Sequence, residues 1–154
     1  MRWLQCSLLL TIVLLAPEAG AAARPAKILK VLEHRLDQAG RYALSPSLYE
    51  RDAYQAYLRR IPSACSGLRF DVQWKAKGRA REELKLRLEL LPSRGEKRKA
   101  YLVEQSVTGG RWWSRWTALT VAGDKFRELG EPVAWRVTLW AGDQLLAEQK
   151  SFLW

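Results

Sequence analysis

Leu68-Arg69-Phe70-Asp71-Val72-Gln73-Trp74-Lys75-Ala76 alternates apolar and polar residues without a break. Successive side chains on a strand point to opposite faces, so a period of two predicts a strand with one buried and one wet face. Leu84-Lys85-Leu86-Arg87-Leu88-Glu89-Leu90 repeats the pattern. Outward from these two stretches the rhythm returns near Ala100–Val107, Trp112–Val121, Val133–Leu139 and Leu145–Trp154. Turn chemistry lies between them: Lys77-Gly78-Arg79-Ala80-Arg81, Pro92 through Arg98, Gly109-Gly110, a connection with a helical turn at Gly123–Gly130, and the hairpin signal Ala141-Gly142-Asp143-Gln144. No segment after Leu68 carries the long helical period of a βαβ unit. The pattern predicts a mainly β protein, an antiparallel sandwich or barrel of about six to seven strands.

The chain before Leu68 reads differently. Ser47-Leu48-Tyr49-Glu50 fits a capping box, and Pro62 supplies a stop. Between them Tyr49, Ala53, Tyr57 and Ile61 fall on one helical stripe flanked by Tyr54 and Leu58. One short helix at about 48–60, its aromatic stripe packed on a sheet, is expected from that spacing. Residues 27–44 permit a helix, through Ile28, Val31, Leu32 and Leu36, but Asp37-Gln38-Ala39-Gly40 favours an extended hairpin.

Residues 1–23 have the form of an export signal. Arg2 precedes the apolar run Leu8–Ala16, and Ala19-Gly20-Ala21-Ala22-Ala23 offers cleavage after Ala21 or Ala23. The run is shorter than the roughly 20 residues a membrane span needs. The expected division is therefore a signal peptide at 1–23, an N-terminal extension at 24–66 and a sandwich domain at 67–154. The expected location is periplasmic or extracellular, with no transmembrane segment after cleavage. Of 154 residues, 26 are basic and 16 acidic, a net charge of +10. Losing Arg2 and Glu18 leaves that charge unchanged, and losing Cys6 leaves Cys65 as the only cysteine. No internal disulfide is then available, and a lone cysteine among Pro62-Ser63-Ala64-Cys65-Ser66-Gly67 reads as a small packed residue.

Leu68-Arg69-Phe70-Asp71-Val72-Gln73-Trp74 and the closing Val133–Trp154 hairpin resemble the immunoglobulin-like and fibronectin type III-like modules of exported bacterial proteins. The likeness covers about the last 90 residues and consists of strand rhythm and scattered Trp. It implies an immunoglobulin-like sandwich that binds or spaces without catalysis. The paired cysteines of an antibody domain are absent.

Two features carry candidate binding chemistry. Arg111-Trp112-Trp113-Ser114-Arg115-Trp116 places Trp112 and Trp116 on one strand face and Trp113 on the other. Either these indoles fill the core and pack under the helix, or Trp112, Trp113, Trp116 and Trp140 form a sugar-stacking surface, which Trp154 can close. Trp74 and Trp135 are in phase with the apolar faces of their strands and are expected in the core. The second feature is charge: residues 24–99 hold the whole excess, while residues 100–154 are neutral. Arg79, Arg81, Arg94, Lys97, Arg98 and Lys99 sit in or beside two loops. If the strands flanking the first loop pair as a hairpin, Lys75, Lys85 and Arg87 continue the charge as an outer stripe, suited to an anionic polymer.

Catalytic signals are thin. His34 stands alone between Glu33 and Arg35 and reads as a surface residue; Glu82 and Glu83 are adjacent on a strand and point apart. One His and two Cys cannot supply a common zinc site. No nucleophile elbow and no glycine-rich phosphate loop is present. The expectation is a non-catalytic binding or structural module of the cell envelope with no cofactor, no metal and no catalytic residues. Its expected partner is an envelope protein or glycan, not a specific nucleic acid.

Overall fold

The computed structural model describes residues 26–77, 83–93, 99–109 and 113–154. The expected leader at 1–23, the loop cations Arg79, Arg81, Arg94, Lys97 and Arg98, and Trp112 lie outside the described residues. In chain order the elements are β1 (Ala26–Asp37), α1 (Leu48–Arg60), a 3-10 turn (Pro62–Ala64), β2 (Cys65–Ala76), β3 (Glu83–Pro92), β4 (Tyr101–Thr108), β5 (Arg115–Ala122), α2 (Asp124–Leu129), β6 (Pro132–Ala141) and β7 (Gln144–Lys150).

The strand alternation builds two antiparallel sheets, ordered β1-β2-β5 and β4-β3-β6-β7. Leu68, Phe70, Val72 and Trp74 of β2 meet Leu84, Leu86, Leu88 and Leu90 of β3 in a single core, which Leu119, Val121, Val137 and Leu139 complete. β2 and β3 bury every second side chain, as an apolar face closed against another sheet requires. Over the described residues the protein is a mainly β sandwich of seven strands, as expected. Among the described residues no helix is long and apolar enough to cross a membrane.

β2 and β3 do not pair as the hairpin that a continuous basic stripe requires. Both are inner strands, β2 between β1 and β5 and β3 between β4 and β6, so the chain crosses from one sheet to the other after Ala76. Two strands with such complete apolar faces bury more by opposing each other across the core than by lying side by side. The basic stripe is divided accordingly. Lys75 belongs to the first sheet; Lys85 and Arg87 belong to the second, where both pair with Glu104 of β4.

Residues 27–44 are not a hairpin either. β1 pairs with β2 from Ala26 opposite Ala76 to Asp37 opposite Cys65, so this stretch is a strand of the sandwich. The turn signal is real. Asp37 Oδ1 accepts the N–H groups of Ala39 (2.9 Å) and Arg41 (2.8 Å), and Gly40, at φ +74°, donates to the Asp37 carbonyl. The chain then fails to return as a strand because Gln55 of α1 holds the Tyr42 carbonyl at 2.8 Å, drawing this segment towards the helix.

α1 occupies the expected residues, and Ser47 caps it by accepting from the Glu50 N–H at 3.4 Å. The capping box is half made, since the Glu50 carboxylate bonds the Ser45 hydroxyl instead of reaching back to Ser47. The aromatic stripe does not pack: Tyr49 is 84% exposed, and Tyr57 and Ile61 are also exposed. Leu58 is the buried residue of the helix. Polar bonds turn a different face inward. The Tyr54 hydroxyl donates to Asp37 Oδ2 at 2.7 Å, while the Gln55 amide accepts from the Arg35 N–H (2.7 Å) and donates to the Arg35 carbonyl (2.9 Å).

Candidate functional site

The polar phase of the opening stretch, Arg69, Asp71, Gln73 and Lys75, looks away from the core. Register places it between two other outward rows: His34 lies opposite Arg69, Leu32 opposite Asp71, and Gln73 opposite Trp116. Tyr42 from the loop and Arg51 from α1 rise beside these rows. With Leu32, His34, Arg69, Asp71 and Trp116 they line a cleft of about 290 Å³ on the outer face of the β1-β2-β5 sheet.

Its floor is polar and interlocked. The Arg69 Nε–H donates to Asp71 Oδ1 at 2.9 Å, and His34 Nε2 lies 3.6 Å from Asp71 Oδ2. The Tyr42 ring stacks on the His34 imidazole at 4.9 Å and also lies against the Arg69 guanidinium, 5.0 Å from the ring centre. Trp116 stands at the edge with 51% of its surface exposed. An aromatic rim over carboxylate, guanidinium and imidazole groups provides a stacking surface together with hydrogen-bond donors and acceptors.

His34 corrects the expectation of a surface residue: it is 9% exposed. Burial pushes its pKa below the ordinary 6.5; Asp71 pulls it up, and the charges of Arg51 and Arg69 push it further down. The imidazole is therefore neutral at pH 7 and can accept as well as donate a hydrogen bond. A folded-state pKa below the unfolded value means that acid protonates the unfolded chain first. The contribution of His34 to stability is present above pH 6.5 and is lost as pH falls through the folded-state value. Chemical denaturation across pH 7.5 to about 5 should show this fall, and His34→Gln should flatten it. An equal fall in both proteins would exclude His34 as its source.

Beside the cleft, Asp37 fixes the loop that carries Tyr42. The Arg41 backbone N–H, helped by the Tyr54 hydroxyl and the Arg41 side chain, brings its pKa down to about 2 against the opposing effect of burial. The turn therefore keeps its charge between pH 7.5 and about 5, the span of the denaturation measurement.

Of the tryptophans singled out by sequence, the three that are described, Trp113, Trp116 and Trp140, do not form one surface. Trp113 (59% exposed) and Trp116 precede and open β5, so the reading that both indoles pack inside is corrected. Trp140 lies on β6, in the opposite sheet. The Arg87 guanidinium covers its ring at 4.7 Å, and its indole N–H donates to Thr138 Oγ1 at 2.8 Å. Trp154 is likewise covered by Arg136 (4.9 Å), which also binds Glu89. Strand parity shows which side of its own sheet a residue takes, and sheet membership then separates Trp116 from Trp140. Of the six expected polyanion contacts, Lys99 is described; it is exposed and borders a shallow depression with Tyr101, Lys125 and Glu128. Trp74 is buried as expected, and Trp135 packs edge-on against Phe70 at 6.4 Å.

Sequence reasoning does not single out His34, Tyr42, Arg51, Arg69 or Asp71 as site residues. Arg69 and Asp71 are legible as outward residues of β2; their meeting with His34 depends on the β1–β2 register. Tyr42 and Arg51 arrive through tertiary contacts that no local pattern announces.

No protein-family model matches the chain, and no curated protein matches it. Among solved structures, the crystal structure of a β-glucosidase from Kluyveromyces marxianus is similar to 56% of this chain and 12% of its own length, at 17% identity and a TM-score of 0.33. The chain thus corresponds to a small part of that enzyme, and a likeness of this size assigns neither activity nor ligand.

Proposed function

We propose that the protein is an exported, non-catalytic binding module of the cell envelope, and that the cleft on the outer face of β1-β2-β5 takes a carbohydrate. The observation that carries this reading is the half-exposed Trp116 indole at the rim of a cleft floored by Arg69, Asp71 and neutral His34. A sugar ring presents an apolar C–H face and a circumference of hydroxyls, so it fits an aromatic plane beside carboxylate and guanidinium groups. The Arg69–Asp71 pair suits binding without catalysis, because the carboxylate is already engaged by its neighbour. The three-plus-four division of strands supports the immunoglobulin-like or fibronectin type III-like reading of the scaffold.

The test is a panel of neutral, amino and acidic oligosaccharides followed by calorimetry and Trp fluorescence. At least one member is expected to bind, and Trp116→Ala to weaken it about tenfold, or about 1.4 kcal/mol. Trp140→Ala, on the other sheet, should leave affinity unchanged. A silent panel, or Trp116→Ala binding as the parent does, would refute the assignment.

A further inference from the structure

A second cavity, of about 600 Å³, opens where α1, the start of β2, α2 and the start of β6 meet at one end of the sandwich. Its composition is unlike that of the outer cleft. Phe126, Pro132 and Val133 supply accessible apolar wall over the buried Leu58 and Leu68, and Arg35, Arg59 and Arg127 bring positive charge to it. Arg35 is a buried cation. Burial lowers its pKa from the usual arginine value, Glu33 opposes that, and the neighbouring charge of Arg59 lowers it further. Two guanidinium groups that disfavour each other, one of them desolvated, make a place where an added anion is stabilised from both sides. The present counter-ion is the Glu131 carboxylate, whose side chain is mostly in water and can return there at small cost. Among the described residues Arg59 has no ion-pair partner.

We propose that this end cavity binds an amphiphilic carboxylate, its chain lying against Phe126, Pro132 and Val133 and its head group taking the place of Glu131 between Arg35 and Arg59. Small-molecule sites of about 300–1,000 Å³ with mostly apolar walls and a few convergent polar groups are the usual form. The site is separate from the outer cleft and shares neither Trp116 nor Asp71 with it. Cys65 lines the same cavity with its thiol 3.3 Å from the Gly67 carbonyl, which provides a built-in reporter.

In the experiment the full chain is alkylated with N-ethylmaleimide in the presence of decanoate, decan-1-ol or acetate. Modification of Cys65 is followed by mass spectrometry on the tryptic peptide Ile61–Arg69, so Cys6 does not interfere. Calorimetry measures the decanoate Kd independently. Decanoate at ten times its Kd is expected to slow alkylation about tenfold, with the alcohol and acetate leaving the rate near its ligand-free value. Arg59→Gln, at an exposed helix position, should raise the decanoate Kd about tenfold with no change in melting temperature. Equal protection by decan-1-ol, protection by acetate, or no protection by decanoate would each overturn the proposal. So would a calorimetrically silent decanoate titration, or an Arg59→Gln variant with the parental Kd.

Discussion

Trp74→Ala is expected to lower the unfolding free energy by about 3–5 kcal/mol, more than any other substitution proposed for this chain. Trp74 is 2% exposed and lies on the central strand of its sheet, in contact with the core shared by both sheets. Truncation removes an indole from the middle of two closed layers and leaves a cavity that neighbouring strands, fixed by their ladders, cannot collapse to fill. It also frees Thr117, whose hydroxyl accepts the indole N–H at 2.9 Å. Domains of this size are held by only about 5–15 kcal/mol in total, so the variant should lose about a fifth or more of its stability. Urea denaturation measures it: the midpoint should fall steeply at nearly constant slope. Trp74→Phe, which keeps most of the volume and gives up the hydrogen bond, should fall between the two. A Trp74→Ala variant within 1 kcal/mol of the parent, about the scale of an ordinary surface change, would mean that the core is not closed around this side chain.

The second large effect is expected from the smallest possible addition. Gly67→Ala should cost about 1–3 kcal/mol through overpacking, although Ala is the better residue in most extended backbone. Gly67 lies on β2 between Leu36 of β1 and Ala122 of β5. A methyl group there would come within 2.6 Å of the Val121 carbonyl oxygen, 2.8 Å of the Ala122 Cβ and 2.9 Å of the Ala122 Cα. None of these is the loose end of a long side chain, so relief requires β5 to move away from β2. Because Trp116 is carried by β5, the same variant is expected to weaken binding at the outer cleft as well as stability. Thermal denaturation and the glycan titration read the two effects separately. A Gly67→Ala protein as stable as the parent would show that the strand pair is looser than its ladder indicates.

The strands were legible because burial of one face writes itself into the sequence as a period of two. Phe70, Val72 and Trp74 could be assigned to the core without knowing what covered them. α1 was legible from Ser47 and Pro62 for a similarly local reason: caps and breakers act within a few residues of themselves. Its orientation was not. The apolar stripe Tyr49–Tyr57–Ile61 pointed to one packing, and the bonds Tyr54 and Gln55 make to the end of β1 settled another. Local amphipathicity lost to a few well-placed hydrogen bonds because the helix rests on a sheet end rich in polar partners. The outer cleft was legible only in fragments. Trp116 could be named as a stacking residue, but grouping it with Trp140 required knowing which sheet each strand joins. His34 looked like a bystander because its significance comes entirely from Asp71 and Tyr42, residues that register and tertiary folding bring beside it.

α1 gives Arg51 to the outer cleft and Leu58 and Arg59 to the end cavity. One short helix, held by Tyr54, Gln55 and a single buried leucine, is thus a common wall of two chambers. A guest in either chamber would therefore rest against the same 13 residues, so the two proposed sites share one structural wall without any contact between their occupants.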